Sequence, residues 1–202
     1  LSIKILGGFA RGQLLLVPKG DLIRPTSVML KRRIFDFYQD LSGYHFVDLC
    51  AGSGAVGLEA WSRGAKKVFL NEPHRHVIKI LSENRESCLL KNHHRKIGDI
   101  ETSNMTAEKF ITLFKEHYLL YSDNDQKKTI IFLDPPYNEK KIYIDIVDYL
   151  KEGGWFFGEI WIESDRLKGV PFSNWNDSGL MAKKLYEQGD SYVFVGTIPT
   201  TN

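Results

Sequence analysis

Apolar residues fall in two rhythms along this chain. Short blocks of adjacent apolar positions, in Phe46-Val47-Asp48-Leu49, in 67–71 and in Ile130-Ile131-Phe132-Leu133, have the length of buried strands. Between them apolar residues recur every three or four positions. The stripe Val77, Leu81, Asn84 and Cys88 runs along 74–90, and similar spacing predicts helices over 54–63, 106–118 and 142–150. Phe110, Leu113, Phe114 and His117 are the expected inward face of 106–118. Lys96 and Ile97 start a short strand leading to Asp99, and the polar run 122–128 reads as a loop. Strands close the chain over 155–162, 180–186 and 192–198, the last two joined by a Gly189-Asp190 turn. Near the start, 3–6 and 13–17 are strands around Gly7, Gly8 and Gly12, a hairpin with Phe9 and Arg11 toward its tip. After a loop over 18–25, Thr26 or Ser27 caps a helix expected to bury Leu30, Ile34, Phe37, Tyr38 and Leu41.

Alternating strands and helices predict an α/β fold, a mostly parallel sheet with helices on both faces. Seven strands are expected beyond residue 41, with the closing hairpin placing an antiparallel strand at or near one end. The expected division is an N-terminal hairpin and helix over 1–40 and the α/β domain over 41–202.

With 202 residues, 43% of them hydrophobic and 26% charged, the composition is that of a globular domain. No apolar stretch has membrane-spanning length, and the charged, glycine-containing start does not read as a signal peptide. Cys50 and Cys88 have no metal-like spacing and the histidines form no ligand pairs, so no metal is expected. Two reduced cysteines suit a cytoplasmic protein. The net charge of +2 hides a strong asymmetry. Residues 1–33 carry seven basic residues against Asp21, and residues 63–96 carry nine against three acids, a net of +6 in each. The remainder is −10. Such a distribution suits a basic face presented to a polyanion, with Lys4, Arg11, Arg24, Lys31, Arg32 and Arg33 as candidate nucleic-acid phosphate contacts.

The chemistry is concentrated at predicted strand ends. Asp48-Leu49-Cys50-Ala51-Gly52-Ser53-Gly54-Ala55-Val56-Gly57 follows the first core strand and opens its helix. Glycines there admit a ligand to the backbone, and the helix offers free N–H groups. The run matches the G-x-G-x-x-G dinucleotide pattern, but the same geometry serves any adenosine ligand. Either way Glu72, ending the next strand, can accept from both ribose hydroxyls. Asp48 can hold the loop and a methionine ammonium, and Asp99, expected to follow the third strand, can accept from an adenine amine. Asp134-Pro135-Pro136-Tyr137 follows the fourth strand as a receptor for a planar base amine, with a carboxylate, free carbonyls and a stacking ring. Together these favour S-adenosylmethionine over a nicotinamide cofactor. The candidate cofactor set is Thr26, Asp48, Ala51, Gly52, Ser53, Gly54, Glu72, Asp99 and Ile100. The catalytic set is Asp134, Pro135, Pro136 and Tyr137.

On Ile5-Leu6-Gly7-Gly8 with Arg11-Gly12, Ile23-Arg24-Pro25-Thr26-Ser27, Ile34-Phe35, the run from Asp48 to Ala60, Glu72 and Asp134-Pro135-Pro136-Tyr137, the chain resembles the RsmD family of bacterial 16S rRNA guanine-N2 methyltransferases. The resemblance implies a Rossmann-like class I methyltransferase fold, S-adenosylmethionine as cofactor, and methylation of a guanine amine in 16S rRNA, within a small-subunit particle and by a monomer. It also implies that the hairpin helps to recognise the substrate. The chain departs from the family pattern at Val28, Met29 and Arg32, where the family has an Asp-Arg pair and a further acid, and at His74, where it has an acid. Alternatives are an adenine-N6 or protein-glutamine methyltransferase, or a non-catalytic ribosome-assembly factor on the same fold. Trp155, Trp161 and Trp175 are expected in the core, and Glu159 and Glu163 at a solvent-facing or salt-bridged surface.

Overall fold

The computed structural model describes residues 2–18, 25–95 and 97–199, with side chains from residue 30 onward in the first helix. A short antiparallel hairpin, β1 (Ser2–Lys4) with β2 (Leu14–Leu16), precedes helix α1 (Pro25–Phe37). The main body then alternates: β3 (His45–Asp48), α2 (Ala55–Ser62), β4 (Lys67–Asn71), α3 (Val77–Lys91), β5 (Asp99–Ser103), α4 (Ala107–Tyr118), α5 (Asp123–Lys127), β6 (Thr129–Leu133), α6 (Lys140–Lys151) and β7 (Glu159–Asp165). Helix α7 (Ser173–Asp177) leads to β8 (Met181–Gln188) and β9 (Ser191–Thr197). The seven-stranded sheet has the order β5-β4-β3-β6-β7-β9-β8. Its first five strands pair in parallel, and β9 inserts antiparallel to both β7 and β8.

Strands β3 and β6 are buried along their whole length because both faces are covered, which is why they read as continuous apolar runs. Alternate residues serve opposite layers. Phe46, Ile130 and Phe132 pack with α1, α2 and α3, while Val47, Ile131 and Leu133 pack with α4 and α6. Trp161 belongs to the first layer, and Trp155 and Trp175 to the second, all as core aromatics.

The hairpin shares the first core, contributing Ile5, Ala10 and Leu15. Two strands alone are marginal in water, and here α2 holds them. The Ser62 hydroxyl donates to the Gly7 carbonyl at 2.6 Å and accepts from the Ala10 N–H at 2.9 Å. The buried Glu59 carboxylate accepts from the Leu6 N–H at 2.6 Å and pairs with Arg63 at 2.7 Å. Gly8 lies at φ 72°, where a Cβ would sit 1.9 Å from the Ser62 carbonyl oxygen, so glycine lets the hairpin lie directly on the helix.

Several local expectations shift. In α1 it is Phe35, not Phe37, that is buried, and Phe37 lies outside. In α4 the inward stripe is Phe110, Ile111, Phe114 and Tyr118, while Leu113 and His117 face out. The polar run after Ser122 winds into α5, capped by the Ser122 side chain on the Asp125 N–H. Glu159 and Glu163 are both buried rather than solvent-facing, and Glu159 is salt-bridged to Lys183 as expected. It also accepts from Tyr38 and Trp161, so the segment after α1 and two strands converge on one carboxylate. Among the described residues no helix is long and apolar enough to cross a membrane.

Candidate active site

The chain order reverses around β3: β4 lies on one side, and β6 returns to the other. Ligands of open α/β sheets bind at the carboxyl ends beside such a switch. There a cleft of about 1180 Å³ opens, lined by loops that follow β3, β4, β5 and β6 and by the hairpin and α1.

The loop after β3 supplies Cys50, Ala51, Gly52 and Ser53 to the cleft. Gly52 has φ 55°, and a Cβ there would meet nothing within 4 Å, so its backbone faces open space. Gly54 caps α2 without a side-chain hydrogen bond, leaving the helix start to N–H groups. Asp48 is buried beneath the loop, its Oδ2 accepting from the Gly57 N–H at 3.3 Å. Its Oδ1 has no hydrogen-bond partner within the protein. Burial pushes the Asp48 carboxyl up to about 7, opposed by Lys31 and the Gly57 N–H and reinforced by Glu72.

Glu72 follows β4 and points back at this loop. Its Oε2 accepts from the Gly52 N–H at 2.9 Å, and its Oε1 lies 2.9 Å from both the backbone N–H and the ring Nδ1 of His74. Thus His74, where the family pattern has an acid, clasps the carboxylate. Buried Asn71 ties three loops together. Its Nδ2 donates to the Leu49 and Met105 carbonyls, both at 3.0 Å, and its Oδ1 accepts from the Ser103 hydroxyl at 2.8 Å. Asn104 adds a bond from its Nδ2 to the Glu72 carbonyl at 2.6 Å.

Asp99 and Ile100 do not reach this site. The third strand begins, rather than ends, at Asp99, which pairs in register with Lys67 at the amino edge of the sheet. Ile100 is buried in the core. The residues at the carboxyl end of β5 are Ser103 to Thr106, and Thr106, Ala107 and Glu108 line the cleft in their place. Thr26's side chain and all of Arg24 lie outside the described residues.

Asp134 and the prolines follow β6. Asp134, Pro136 and Tyr137 line the cleft. Pro135 is buried, and its carbonyl oxygen lies 3.0 Å from the Tyr143 hydroxyl, which is also 2.9 Å from the Glu163 carbonyl. Pro135 itself does not line the cleft, and this buried contact ties the β6 end to α6 and β7. The Tyr137 hydroxyl donates to Ser191 at 3.3 Å, and Ser191 donates to Asp165 at 3.2 Å. Asp165 also accepts from the N–H groups of Leu167 and Lys168 at 3.0 and 2.9 Å. Burial opposes it, yet these donors hold the Asp165 carboxyl below its usual range. The Tyr137 side chain and the turn bearing Lys168 are thereby anchored to one buried carboxylate.

Two charge zones result. On the floor, burial pushes the Cys50 thiol well above its usual value, and the charges of Asp48, Asp134, Glu72 and Glu108 push it further. At the rim stand Lys4, Lys31 and Lys168, with Lys141 already paired to Asp145. Glu72, Glu108 and Asp134 line the cleft, and such an acidic lining fits a cationic sulfonium and ammonium ligand. The residues present therefore fit S-adenosylmethionine.

The model of the family described as conserved hypothetical protein 95 matches residues 3–194. Ribosomal RNA small subunit methyltransferase D of Escherichia coli K12 is 30% identical over 94% of this chain and 93% of that protein. The chain belongs to the RsmD family. A Haemophilus influenzae protein of the same name is 26% identical over 92% of this chain and 94% of that protein. The solved Escherichia coli protein yhhF superposes with a TM-score of 0.72 at 27% identity, covering 100% of both chains. This RsmD-family chain is a class I methyltransferase, and S-adenosylmethionine is its cofactor.

Asp48 yields a stability prediction. Between the ordinary carboxyl value of 3.8 and about 7, the folded chain holds a proton that the unfolded chain has released. Folding is therefore favoured as pH falls through that window, and the penalty is complete above it. A shift from 3.8 to about 7 corresponds to about 4 kcal/mol at most. Asp48→Asn should raise the melting temperature of the cofactor-free protein at pH 8 and lose that advantage toward pH 4. Scanning calorimetry across this range checks it; a difference independent of pH means Asp48 is not the titrating group.

Proposed function

We propose that this methyltransferase moves a methyl group from S-adenosylmethionine to the exocyclic N2 amine of a guanine in small-subunit ribosomal RNA. The observation that carries the reading is the convergence of three strand ends, which brings the Ala51–Ser53 loop, Glu72 and Asp134 to one cleft beneath a rim of lysines. A carboxylate lining suits the cationic donor, and a basic rim suits a nucleic-acid backbone. The relatives' names point to small-subunit RNA as the polymer.

In this reading Glu72 holds the ribose hydroxyls, the Gly52–Gly54 loop admits the ligand to the backbone, and Asp48 faces its ammonium. When bound, the cofactor supplies a methyl group on a sulfonium that departs as a neutral thioether. Asp134 accepts an N–H of the guanine amine, whose lone pair is otherwise delocalised into the ring. That favours a tetrahedral nitrogen and turns its lone pair toward the methyl carbon. The N–C bond forms as the C–S bond breaks, and the extra proton leaves nitrogen after transfer. Asp134 stabilises the positive charge that develops there. Tyr137 stacks on the extruded base, a contact worth about 1–3 kcal/mol. Pro136 shapes the wall beside it.

Residues 1–40 serve as the RNA-recognition extension of the domain over 41–202. Lys4, Arg11, Arg24, Lys31 and Arg32 are the proposed phosphate contacts, acting on a small-subunit particle, as a monomer, in the cytoplasm. Arg33 also bonds the Glu187 carbonyl, which ties α1 to β8. Removing residues 1–20 is a poor test of RNA binding, because Ile5 and Leu15 would leave the shared core. The decisive experiment is mass mapping of small-subunit RNA from cells with and without the gene. One N2-methylguanine should disappear without the gene and return when purified protein and cofactor are added. Loss of an N6-methyladenine instead would overturn the choice of base.

A further inference from the structure

The hairpin tip around Arg11 and the end of α3 around Arg95, one from each basic segment of the sequence, meet in three dimensions. Helix α2 carries the hairpin tip to the amino edge of the sheet, and α3 ends at the same edge. Phe9 packs edge-on against Trp61 at 4.6 Å, and the Arg95 guanidinium lies 5.8 Å from the centre of the Phe9 ring. Gln13 bonds the Cys88 sulfur at 3.1 Å and accepts from Asn92 at 3.4 Å. The tip residue Arg11 and the turn with Lys91, His93, His94 and Arg95 therefore form one exposed face on a fixed support.

The fold also sorts which charges of the second segment remain for a partner. Arg63, Lys66 and Lys67 are paired with Glu59, Asp125 and Glu101. Among the described residues no carboxylate forms an ion pair with Arg11, Lys91 or Arg95. Glu83 and Glu86, exposed further up α3, bound the positive face on that side. The 15 residues of α3 put Lys91 to Arg95 roughly 22 Å from Val77 at the cleft, at 1.5 Å per residue. A flipped nucleotide and its immediate neighbours do not bridge that span; a folded RNA does.

We propose that Arg11, Lys91, His93, His94 and Arg95 form a second docking face for the phosphate backbone of the RNA substrate, remote from the reacting base. The inference rests on the RNA reading above. Its place in the fold makes the enzyme bipartite: the cleft selects the base, and the hairpin–α3 face grips a separate stretch of the same folded RNA. The contacts are electrostatic and sequence-independent, so they set affinity and salt dependence rather than chemistry.

The test is the charge reversal Lys91→Glu with Arg95→Glu, beside Arg95→Lys, with deproteinised small-subunit RNA from cells lacking the gene as the probe. Binding is measured by filter retention at several salt concentrations, and methyl transfer is measured on the same RNA. The reversal should weaken RNA binding about tenfold and flatten the salt slope by about 2, near 1 for each phosphate no longer neutralised. Cofactor affinity and turnover at saturating RNA should stay within twofold, and Arg95→Lys should behave as the unaltered protein. An unchanged slope overturns the second face. So does Arg95→Lys matching the reversal, which would make Arg95 a packing residue on Phe9. If the unaltered protein binds this RNA through the face yet transfers no methyl group to it or to small subunits from the same cells, the RNA-methylation reading fails and the docking face stands.

Discussion

Asp134→Ala should lower methyl transfer at least 100-fold while changing cofactor affinity less than about twofold. The expected scale is that of losing one group aimed at charge developing in the transition state, about 2.7–4 kcal/mol. Asp134 follows the last residue of β6, half-buried at the cleft wall, and its charge reaches Cys50 on the floor. Its proposed work is on the acceptor nitrogen, so cofactor binding has little reason to change. Asp134→Asn keeps an acceptor oxygen but not the charge and should fall between. Single-turnover transfer to gene-deleted small-subunit RNA, with calorimetry of cofactor binding alongside, separates the two effects. Near-normal turnover by Asp134→Ala would sink the assignment.

Glu72→Ala should act in the opposite sense, weakening S-adenosylmethionine binding about 10- to 100-fold and leaving turnover at saturating cofactor within a few fold. Two hydrogen bonds to a buried carboxylate are worth about 1.5–3 kcal/mol each, and part of that is returned when water enters. The carboxylate also holds the Gly52 N–H, so its loss loosens the loop that faces the ligand. Glu72→Gln distinguishes the roles. A glutamine oxygen can still accept from Gly52 but cannot accept both ribose hydroxyls as a carboxylate does, so its affinity should resemble alanine more than glutamate. Equal cofactor affinity in all three proteins would remove Glu72 from the ribose site.

The central strands are readable because burial on both faces leaves an unbroken apolar run, and Asp134 is readable because it directly follows one. Asp99 is misplaced by sequence reasoning for the matching reason. The β5 sequence Asp-Ile-Glu-Thr-Ser has a single apolar residue, Ile100, and only that one is buried, so nothing in it marks where the edge strand begins. Placing the strand over 99–103 moves its carboxyl end to Ser103 and brings Thr106 and Glu108 to the cleft. The helix faces of α1 and α4 shift by small rotations, since Phe35 or Phe37, and Ile111 or Leu113, satisfy the same spacing until a neighbour is present. Asn71, Ser191 and Asp165 give no signal because their partners are distant in sequence.

The α/β class, the glycine loop after β3, Glu72 at the end of the next strand and the Asp134–Tyr137 tetrapeptide after β6 are all legible in the chain alone. Those features are local: apolar periodicity, glycines beside a strand end, and a short run of unusual residues each act within a few positions. Only the tertiary structure decided which carboxylates line the cleft, that Ser191 and Asp165 anchor Tyr137, and that the hairpin tip and the end of α3 form one face. Those outcomes depend on sheet register and on the packing of the hairpin against α2 and α3. Register couples residues tens of positions apart through backbone pairing, and no local pattern encodes it.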